Sequence, residues 1–348
     1  MKIVFRWYGF DDKITLENIR QIPVIDGIVT AIYNTPVGEV WNFDSLKKLV
    51  DFCGKNNLDC KVIESVPVHE DIKLGAESAK YYIENYKKNL RILGELGFNC
   101  VCYNFMPVFD WLRSDLKFNL PDGSNALAYR HEDVLNLDPN VSDLSLPGWD
   151  SSYNKEELHL LLEKYKSITE EKLWANLYTF LKEIIPVAIE SGINMAIHPD
   201  DPPWGLFGLP RIITGARAIK KLFSLIDHPA NGLTFCTGSF GASKENDLFE
   251  IIKIAKGRIH FAHLRNVKRS REFDFCETAH PSKCGDIDMY AVLNALLKSG
   301  FDGYVRPDHG RMIWGESGRG GYGLYDRALG ASYIYGLYEA ITKGGCND

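Results

Sequence analysis

Short runs of β-branched and aromatic residues alternate with longer amphipathic segments along the whole chain. Eight such runs can be distinguished, at residues 2–8, 27–33, 59–65, 99–105, 194–199, 232–238, 258–267 and 303–310. Each run has the length of a buried strand, and a segment with helical periodicity follows each one. Strands that alternate with helices predict parallel βαβ units, and eight units predict a closed (β/α)8 (TIM) barrel of the α/β class. No GxGxxG motif follows the first run, so a dinucleotide-binding fold has no support.

The length of 348 residues fits either two domains or one barrel with insertions. We predict a single barrel domain over residues 1–348. Long loop insertions are expected at its C-terminal face, at about 106–168, 200–212, 268–287 and 311–324. Loops of this length without structure of their own are usually functional, and barrel active sites lie at this face. The insertion at about 106–168 is interpreted as a lid over the site, with a surface excursion or a subunit contact as the alternative.

The composition narrows the classes of partner. The formal net charge is −6, and no basic stripe or tail stands out, which argues against a nucleic acid. No segment has the roughly 20 uninterrupted apolar residues of a membrane helix. The apolar run at the N-terminus is too short for a signal peptide and is interpreted as a strand. These features predict a cytoplasmic protein without a membrane partner, and a homo-oligomer (a dimer or larger) is the default expectation.

Four residues with metal-ligating side chains fall at the ends of the last four predicted strands: His198, Cys236, His263 and Asp308. Neighbouring barrel strands lie about 4.8 Å apart, so side chains at four equivalent positions can meet around one ion. Taken singly, each histidine could be a structural residue, the cysteine a packing residue and the aspartate a helix cap. The joint pattern favours a divalent transition-metal site, and these donors suit iron, zinc, cobalt or manganese.

Candidates for proton transfer and substrate binding lie near the same strand ends. His309 follows Asp308 directly and could act as a general acid or base, or as a hydrogen-bond partner of a ligand. Tyr322 and Tyr325 lie in a glycine-rich segment, and Tyr322 is preferred because glycine flanks it on both sides. An acidic substrate needs a cation, and the candidate substrate-binding residues are Arg6, Tyr8, Arg265, Asn266 and Arg311. His260, Glu277 and His280 also lie at the predicted mouth or in its loops, and no sequence pattern distinguishes them from structural residues.

Several long strings resemble one known family. FRWYG (5–9), HPDDPPWGLFGLPRI (198–212), HFAHLRN (260–266), DHGRMIWGE (308–316) and GYGLYDRALG (321–330) are similar to mannonate dehydratases of uronate catabolism. The resemblance covers essentially the whole chain and shows no departure at the positions discussed above.

The resemblance implies a xylose-isomerase-like barrel that dehydrates the sugar acid D-mannonate to 2-keto-3-deoxy-D-gluconate with Fe²⁺ or Mn²⁺. It implies His198, Cys236, His263 and Asp308 as metal ligands, with Asp308 also counted in the catalytic set. It further implies His309 as an active-site histidine and Tyr322 as a catalytic tyrosine, with Tyr325 as the alternative. A metal-dependent sugar isomerase or epimerase is the first rival function, and a non-catalytic sugar-acid sensor is the second.

Overall fold

Eight parallel strands close into a barrel in the computed structural model, which describes residues 1–137 and 155–344. The barrel strands are Lys2–Arg6 (β1), Gly27–Thr30 (β2), Asp59–Glu64 (β3), Cys100–Tyr103 (β4), Asn194–Ile197 (β7), Asn231–Cys236 (β8), Ile259–His263 (β9) and Tyr304–Arg306 (β12). Their order around the barrel follows the chain, and β1 pairs with β12 to close it. The predicted (β/α)8 barrel is therefore confirmed.

The two-residue period of the strands divides the core into two layers. Six small or medium side chains and one phenylalanine on one face form a cluster inside the barrel: Val4, Val29, Val62, Cys100, Cys102, Ala196 and Phe261. The alternate residues, such as Ile3, Phe5 and Ile28, belong to the larger cluster between the barrel and the helices. Because successive side chains point to opposite faces, residues two positions apart share a face. The polar residues that lie two positions after the inner cluster therefore face the barrel mouth.

The helices surround the barrel, and several have clear capping residues. The Thr169 side chain accepts a hydrogen bond from Lys172 N at the start of the longest helix, and Asp288 caps a later helix through Ala291 N. The helices are Leu16–Ile19 (α1), Phe43–Lys55 (α2), Glu70–Leu74 (α3), Ala79–Glu95 (α4), His131–Leu135 (α5), Lys155–Tyr165 (α6), Glu170–Glu190 (α7), Ala216–Leu225 (α8), Thr237–Gly241 (α9), Leu248–Ile254 (α10), Met289–Lys298 (α11) and Tyr325–Gly344 (α12). Among the described residues, none of these helices has both the length and the apolar character needed to cross a bilayer.

Two of the long insertions contain strands, which the sequence analysis did not anticipate. Asp115–Asn119 (β5) and Asn125–Tyr129 (β6) follow β4, whereas Asn266–Arg271 (β10) and Asp274–Thr278 (β11) follow β9. They form one antiparallel sheet in the order β10-β11-β6-β5, which we call the mouth sheet. Tyr129 and Phe275 stack at a centroid distance of 5.7 Å where β6 meets β11. The expectation of loops without structure was therefore wrong at 106–168 and 268–287, because the two insertions pair with each other.

The predicted lid is described only in part. Residues 138–154 of the 106–168 insertion lie outside the described residues. Of the remainder, β5, β6 and α5 belong to or adjoin the mouth sheet, and Tyr165 at the end of α6 donates a 2.5 Å hydrogen bond to Glu70 of α3. A lid function of this insertion remains a prediction.

Candidate active site

The four predicted metal ligands meet at the C-terminal end of the barrel. His198 follows β7 directly, Cys236 ends β8, His263 ends β9, and Asp308 comes two residues after β12. The donor atoms of His198, Cys236 and His263 lie within 4.8 Å of one another. Asp308 joins this group, because its Oδ2 lies 3.6 Å from Cys236 Sγ and its Oδ1 lies 3.9 Å from His263 Nδ1. The four strand ends therefore bring four donors to one place.

The hydrogen bonds of this donor cluster fit a metal ion. His198 Nδ1 lies 2.7 Å from the carbonyl oxygen of Pro199, which can only accept, so Nδ1 carries the proton and Nε2 keeps its lone pair. Nε2 faces His263 Nδ1 at 3.2 Å. Cys236 Sγ accepts hydrogen bonds from Ser239 N at 3.4 Å and Ser239 Oγ at 3.1 Å, and it can donate to Asp308 Oδ2 at 3.6 Å. Two imidazoles, a thiolate and a carboxylate form a ligand set for a divalent transition metal.

Asp308 adopts a left-handed backbone conformation with φ 61°, which non-glycine residues rarely do. Its carboxylate lies between two guanidinium groups, 2.6 Å from Arg265 Nε and 2.8 Å from Arg306 Nη2. Burial acts to raise the pKa of Asp308, but the charge of Arg306 and those of the nearby histidines and Arg265 outweigh it and lower this pKa well below its usual value. The lowered pKa favours the charged form of this carboxylate in the folded protein.

His309 and Tyr322 form a hydrogen-bonded pair beside the donor cluster. His309 Nε2 lies 2.8 Å from the Tyr322 hydroxyl, and His309 Nδ1 lies 2.8 Å from Glu277 Oε1. The ring of Tyr8 packs edge-on against Tyr322 at 5.1 Å. Burial, followed by the nearby hydroxyl of Tyr8, raises the pKa of Tyr322 well above its usual value, so the phenol keeps its proton.

Tyr325, the alternative to Tyr322, does not reach this pair. It begins α12 and is 43% exposed, and its ring contacts Trp314 at 5.7 Å instead. Of the two tyrosines, Tyr322 alone is among the residues that line the pocket described below.

A buried network of arginines and carboxylates links the donor cluster to His309. Arg265 contacts Asp308, Asp201 and Glu277, each at 2.6 Å. Arg113 forms a second bridge, 2.8 Å from both Asp201 and Glu277. Burial acts to raise the pKa of Glu277, but the charges of His309 and the two arginines lower it to about 2. The site therefore contains fixed charges well beyond the predicted ligands.

Sequence reasoning missed Asp201 as a part of the site and left Glu277 undecided between a functional and a structural role. Asp201 lies in the HPDDPP string and could have been suspected from its position three residues after His198. Glu277 belongs to β11 of the mouth sheet, and no local pattern in the sequence distinguishes it from a surface glutamate.

A cavity of about 480 Å³ opens above the cluster and has the size of a small-molecule site. Its wall includes Arg6, Tyr8 and Arg265 of the predicted substrate-binding set, together with His198, Asp308, His309 and Tyr322. The Tyr8 ring has the guanidinium of Arg6 at 4.9 Å and that of Arg319 at 4.3 Å. The cavity wall therefore combines cationic and aromatic side chains with candidate metal donors.

The structure does not bring two of the predicted substrate-binding residues, Asn266 and Arg311, to the cavity wall. Asn266 is fully buried, and its amide bonds the backbone of Val267 and Ile287 at the start of β10. The run 258–267, predicted as one strand, forms parts of two strands in the structure. The barrel strand β9 ends at His263, and Asn266 begins β10 of the mouth sheet. Arg311 lies outside the cavity wall, because its guanidinium pairs with Asp326 at 2.8 Å and Asp122 at 2.6 Å.

Comparison with known proteins identifies the family to which this chain belongs. A sequence model described as D-mannonate dehydratase (UxuA) matches residues 1–347. The chain belongs to the D-mannonate dehydratase family. A mannonate dehydratase of Streptococcus uberis is 53% identical over 345 residues, which cover 99% of each chain. The crystal structure of mannonate dehydratase from Streptococcus suis serotype 2 superposes with a TM-score of 0.93 and 49% identity, covering 99% of this chain and 96% of that one.

More distant structures share the fold alone. A D-tagatose 3-epimerase-like protein superposes with a TM-score of 0.57 at 14% identity, covering 99% of both chains. This level of similarity confirms the barrel type and carries no information on the reaction. The dehydratase family, whose members are hydro-lyases, is thus the functional class to which the site geometry must be related.

Proposed function

We propose that this chain catalyses the dehydration of D-mannonate to 2-keto-3-deoxy-D-gluconate, as in the breakdown of hexuronates. The observation that carries the proposal is the meeting of four metal donors with the His309–Tyr322 pair in one cavity of a chain that belongs to the D-mannonate dehydratase family. Metal donors alone would suit many reactions. A proton-transfer pair beside them suits the removal of a proton and a hydroxide from neighbouring carbons.

The proposed ligands of the resident ion are His198, Cys236, His263 and Asp308, and the proposed ion is Fe²⁺ or Mn²⁺. When bound, such an ion stabilises the negative charge that develops on the carboxylate and C2 oxygen of the substrate. The mixture of nitrogen, sulfur and carboxylate donors supports a transition metal over Mg²⁺ or Ca²⁺, which prefer oxygen ligands.

Our assignment of the proton transfers follows from the hydrogen bonds of the pair. His309 donates from Nδ1 to Glu277, so Nε2 is the basic nitrogen and can take the proton from C2. Tyr322 keeps its proton because its pKa is raised, so it can protonate the C3 hydroxyl, which leaves as water. The proton on His309 then passes back to Tyr322 over 2.8 Å, and the enol product becomes the 2-keto acid.

Arg6 is the strongest candidate for holding a charged group of the substrate. It lies at the cavity wall, its Nη1 lies 3.6 Å from the Glu64 carboxylate, and its Nε atom has no hydrogen-bond partner among the described residues. Arg265 also lines the cavity but already contacts three carboxylates. Tyr8, between Arg6 and Arg319, shapes the same part of the cavity wall. A cytoplasmic location and a homo-oligomeric state remain predictions from the sequence.

The test is an assay of protein purified without oxygen, with D-mannonate as substrate and Fe²⁺, Mn²⁺ or Zn²⁺ added back separately. We expect a 2-keto-3-deoxy acid, detected by NMR, and activity with Fe²⁺ or Mn²⁺. His309→Asn is expected to keep the metal content and lose turnover by about 100-fold or more. An isomerised or epimerised sugar as the product would replace this function with the rival one, and absence of any product would reject it.

A further inference from the structure

Glu277 occupies a position that its sequence context does not suggest. It lies in β11 of the mouth sheet and is 1% exposed, and it is not part of the cavity wall. Three side chains nevertheless converge on its Oε1 atom: His309 Nδ1 at 2.8 Å, Arg265 Nη1 at 2.6 Å and Arg113 Nη2 at 2.8 Å. An insertion outside the barrel therefore supplies a direct partner of the proton-transfer histidine.

The contact fixes both the tautomer and the orientation of the His309 ring. An ionised carboxylate can only accept hydrogen bonds, so Nδ1 carries a proton, and in the neutral imidazole Nε2 presents its lone pair. The Tyr322 hydroxyl then donates to Nε2 at 2.8 Å. The indole of Trp111, with its centroid 5.1 Å from that of His309, limits rotation of the ring from the side.

The two arginines hold the carboxylate of Glu277 in place. Arg113 also binds Asp201 through both of its terminal nitrogens, at 2.8 and 3.0 Å, and Arg265 also binds Asp308. Since Arg113 and Arg265 are fully buried, this charge network is rigid and protected from solvent. The position of His309 is thus tied to that of the metal donors through Arg265.

We propose that Glu277 is a positioning residue for the dehydration, acting through His309 and supplied by the mouth sheet. The inference rests on the proposed function. Because Glu277 lies outside the cavity wall, it acts on the rate of proton transfer and leaves substrate binding almost unaffected. In the Ser-His-Asp triad of serine proteases, the carboxylate that orients the catalytic imidazole has a large effect on turnover. This effect gives the scale to expect for Glu277.

The test compares Glu277→Gln with the native enzyme by measuring kcat and KM for D-mannonate, metal content by elemental analysis and the thermal unfolding temperature. Gln keeps the shape and one acceptor atom but removes the charge. We expect kcat to fall by roughly 100-fold, with KM within about twofold and the metal content unchanged. The matched control is Asp286→Asn, which removes a carboxylate paired with Lys268 and Arg269 elsewhere next to the mouth sheet and should keep kcat.

A second variant covers the case in which Glu277→Gln does not fold. Glu277→Asp keeps the charge for the two arginines but draws the carboxylate away from His309, so kcat should again fall while the metal content holds. Native kcat in a folded Gln or Asp variant would overturn the inference, as would a loss of activity that only follows a loss of metal. If the native enzyme does not act on D-mannonate, the proposed function fails instead, so the two failures are distinguishable.

Discussion

At the residue scale, two consecutive side chains after β12 serve different parts of the site. Asp308 directs its carboxylate to the metal donors, while His309 faces Glu277 and Tyr322. The left-handed φ of 61° at Asp308 allows this divergence, which regular strand geometry would not give with both groups at the mouth. The backbone strain at this position is therefore consistent with the proposed function, because it places a candidate metal ligand next to a candidate proton-transfer residue.

Cys236 is the residue at which the metal site can be tested most directly. In Cys236→Ser the hydroxyl gives up its proton to a metal ion far less readily than a thiol does and is a poor ligand, so we expect most of the metal to be lost after dialysis. Elemental analysis gives the occupancy. Cys53→Ala, which alters a buried thiol in α2, is the control and should keep the metal. Equal occupancy in Cys236→Ser and the native protein would remove Cys236 from the ligand set.

At the scale of elements, the segment between β12 and α12 positions Tyr322. Gly310 N donates to the Gly321 carbonyl at 2.8 Å, which folds the segment back over the barrel mouth. Gly321 has φ 79°, and a Cβ at this position would lie 2.6 Å from Leu127 Cδ1 of β6. The close approach of the backbone to the mouth sheet thus requires glycine next to Tyr322.

Gly321→Ala should therefore lower both stability and turnover. The left-handed backbone and the contact with Leu127 are expected to cost about 1 to 3 kcal/mol, and displacement of Tyr322 should lower kcat. Gly192→Ala is the matched control, because Gly192 has φ 69° with no atom within 4 Å of an added Cβ. It should lose stability by about 1 kcal/mol in urea unfolding and keep kcat. Native kcat in Gly321→Ala would show that the segment tolerates displacement.

The elements also show what the sequence could and could not predict. The eight barrel strands were predictable because their apolar runs are local and helices separate them. The mouth sheet was not, because β6 pairs with β11 across more than a hundred residues and strands such as DLKFN carry too few apolar residues to stand out. Four candidate ligands followed from equivalent strand positions, whereas Glu277 becomes recognisable only after this long-range pairing brings it to His309.

At the scale of the whole molecule, the buried charge network predicts that the free energy of unfolding depends on pH. Burial acts to raise the pKa values of Asp201 and Glu277, but the charges of their arginine partners, and of His309 for Glu277, lower them, to about 2 for Glu277. A carboxylate whose pKa is lower in the folded than in the unfolded state stabilises the fold above its unfolded pKa, near 4. This stabilisation is lost as the pH falls towards the folded value.

We therefore expect the free energy of unfolding to decrease from about pH 5 downwards. Urea titrations of the metal-free protein at several pH values would measure this. Asp201→Asn removes one of the contributing groups and should give a shallower dependence on pH, at the expense of lower stability at pH 7. An unchanged slope in Asp201→Asn would show that other carboxylates dominate the acid sensitivity.

The candidate metal donors and most of the cavity wall come from different halves of the chain. All four come from β7, β8, β9 and the turn after β12, while most of the cavity wall comes from residues 6–116. Directed evolution could therefore randomise wall positions in the first half of the chain to search for new sugar acids while the four candidate donors stay unchanged. Glu64 and Cys102 should be left out of such a library, because their side chains lie within 4.8 Å of His263.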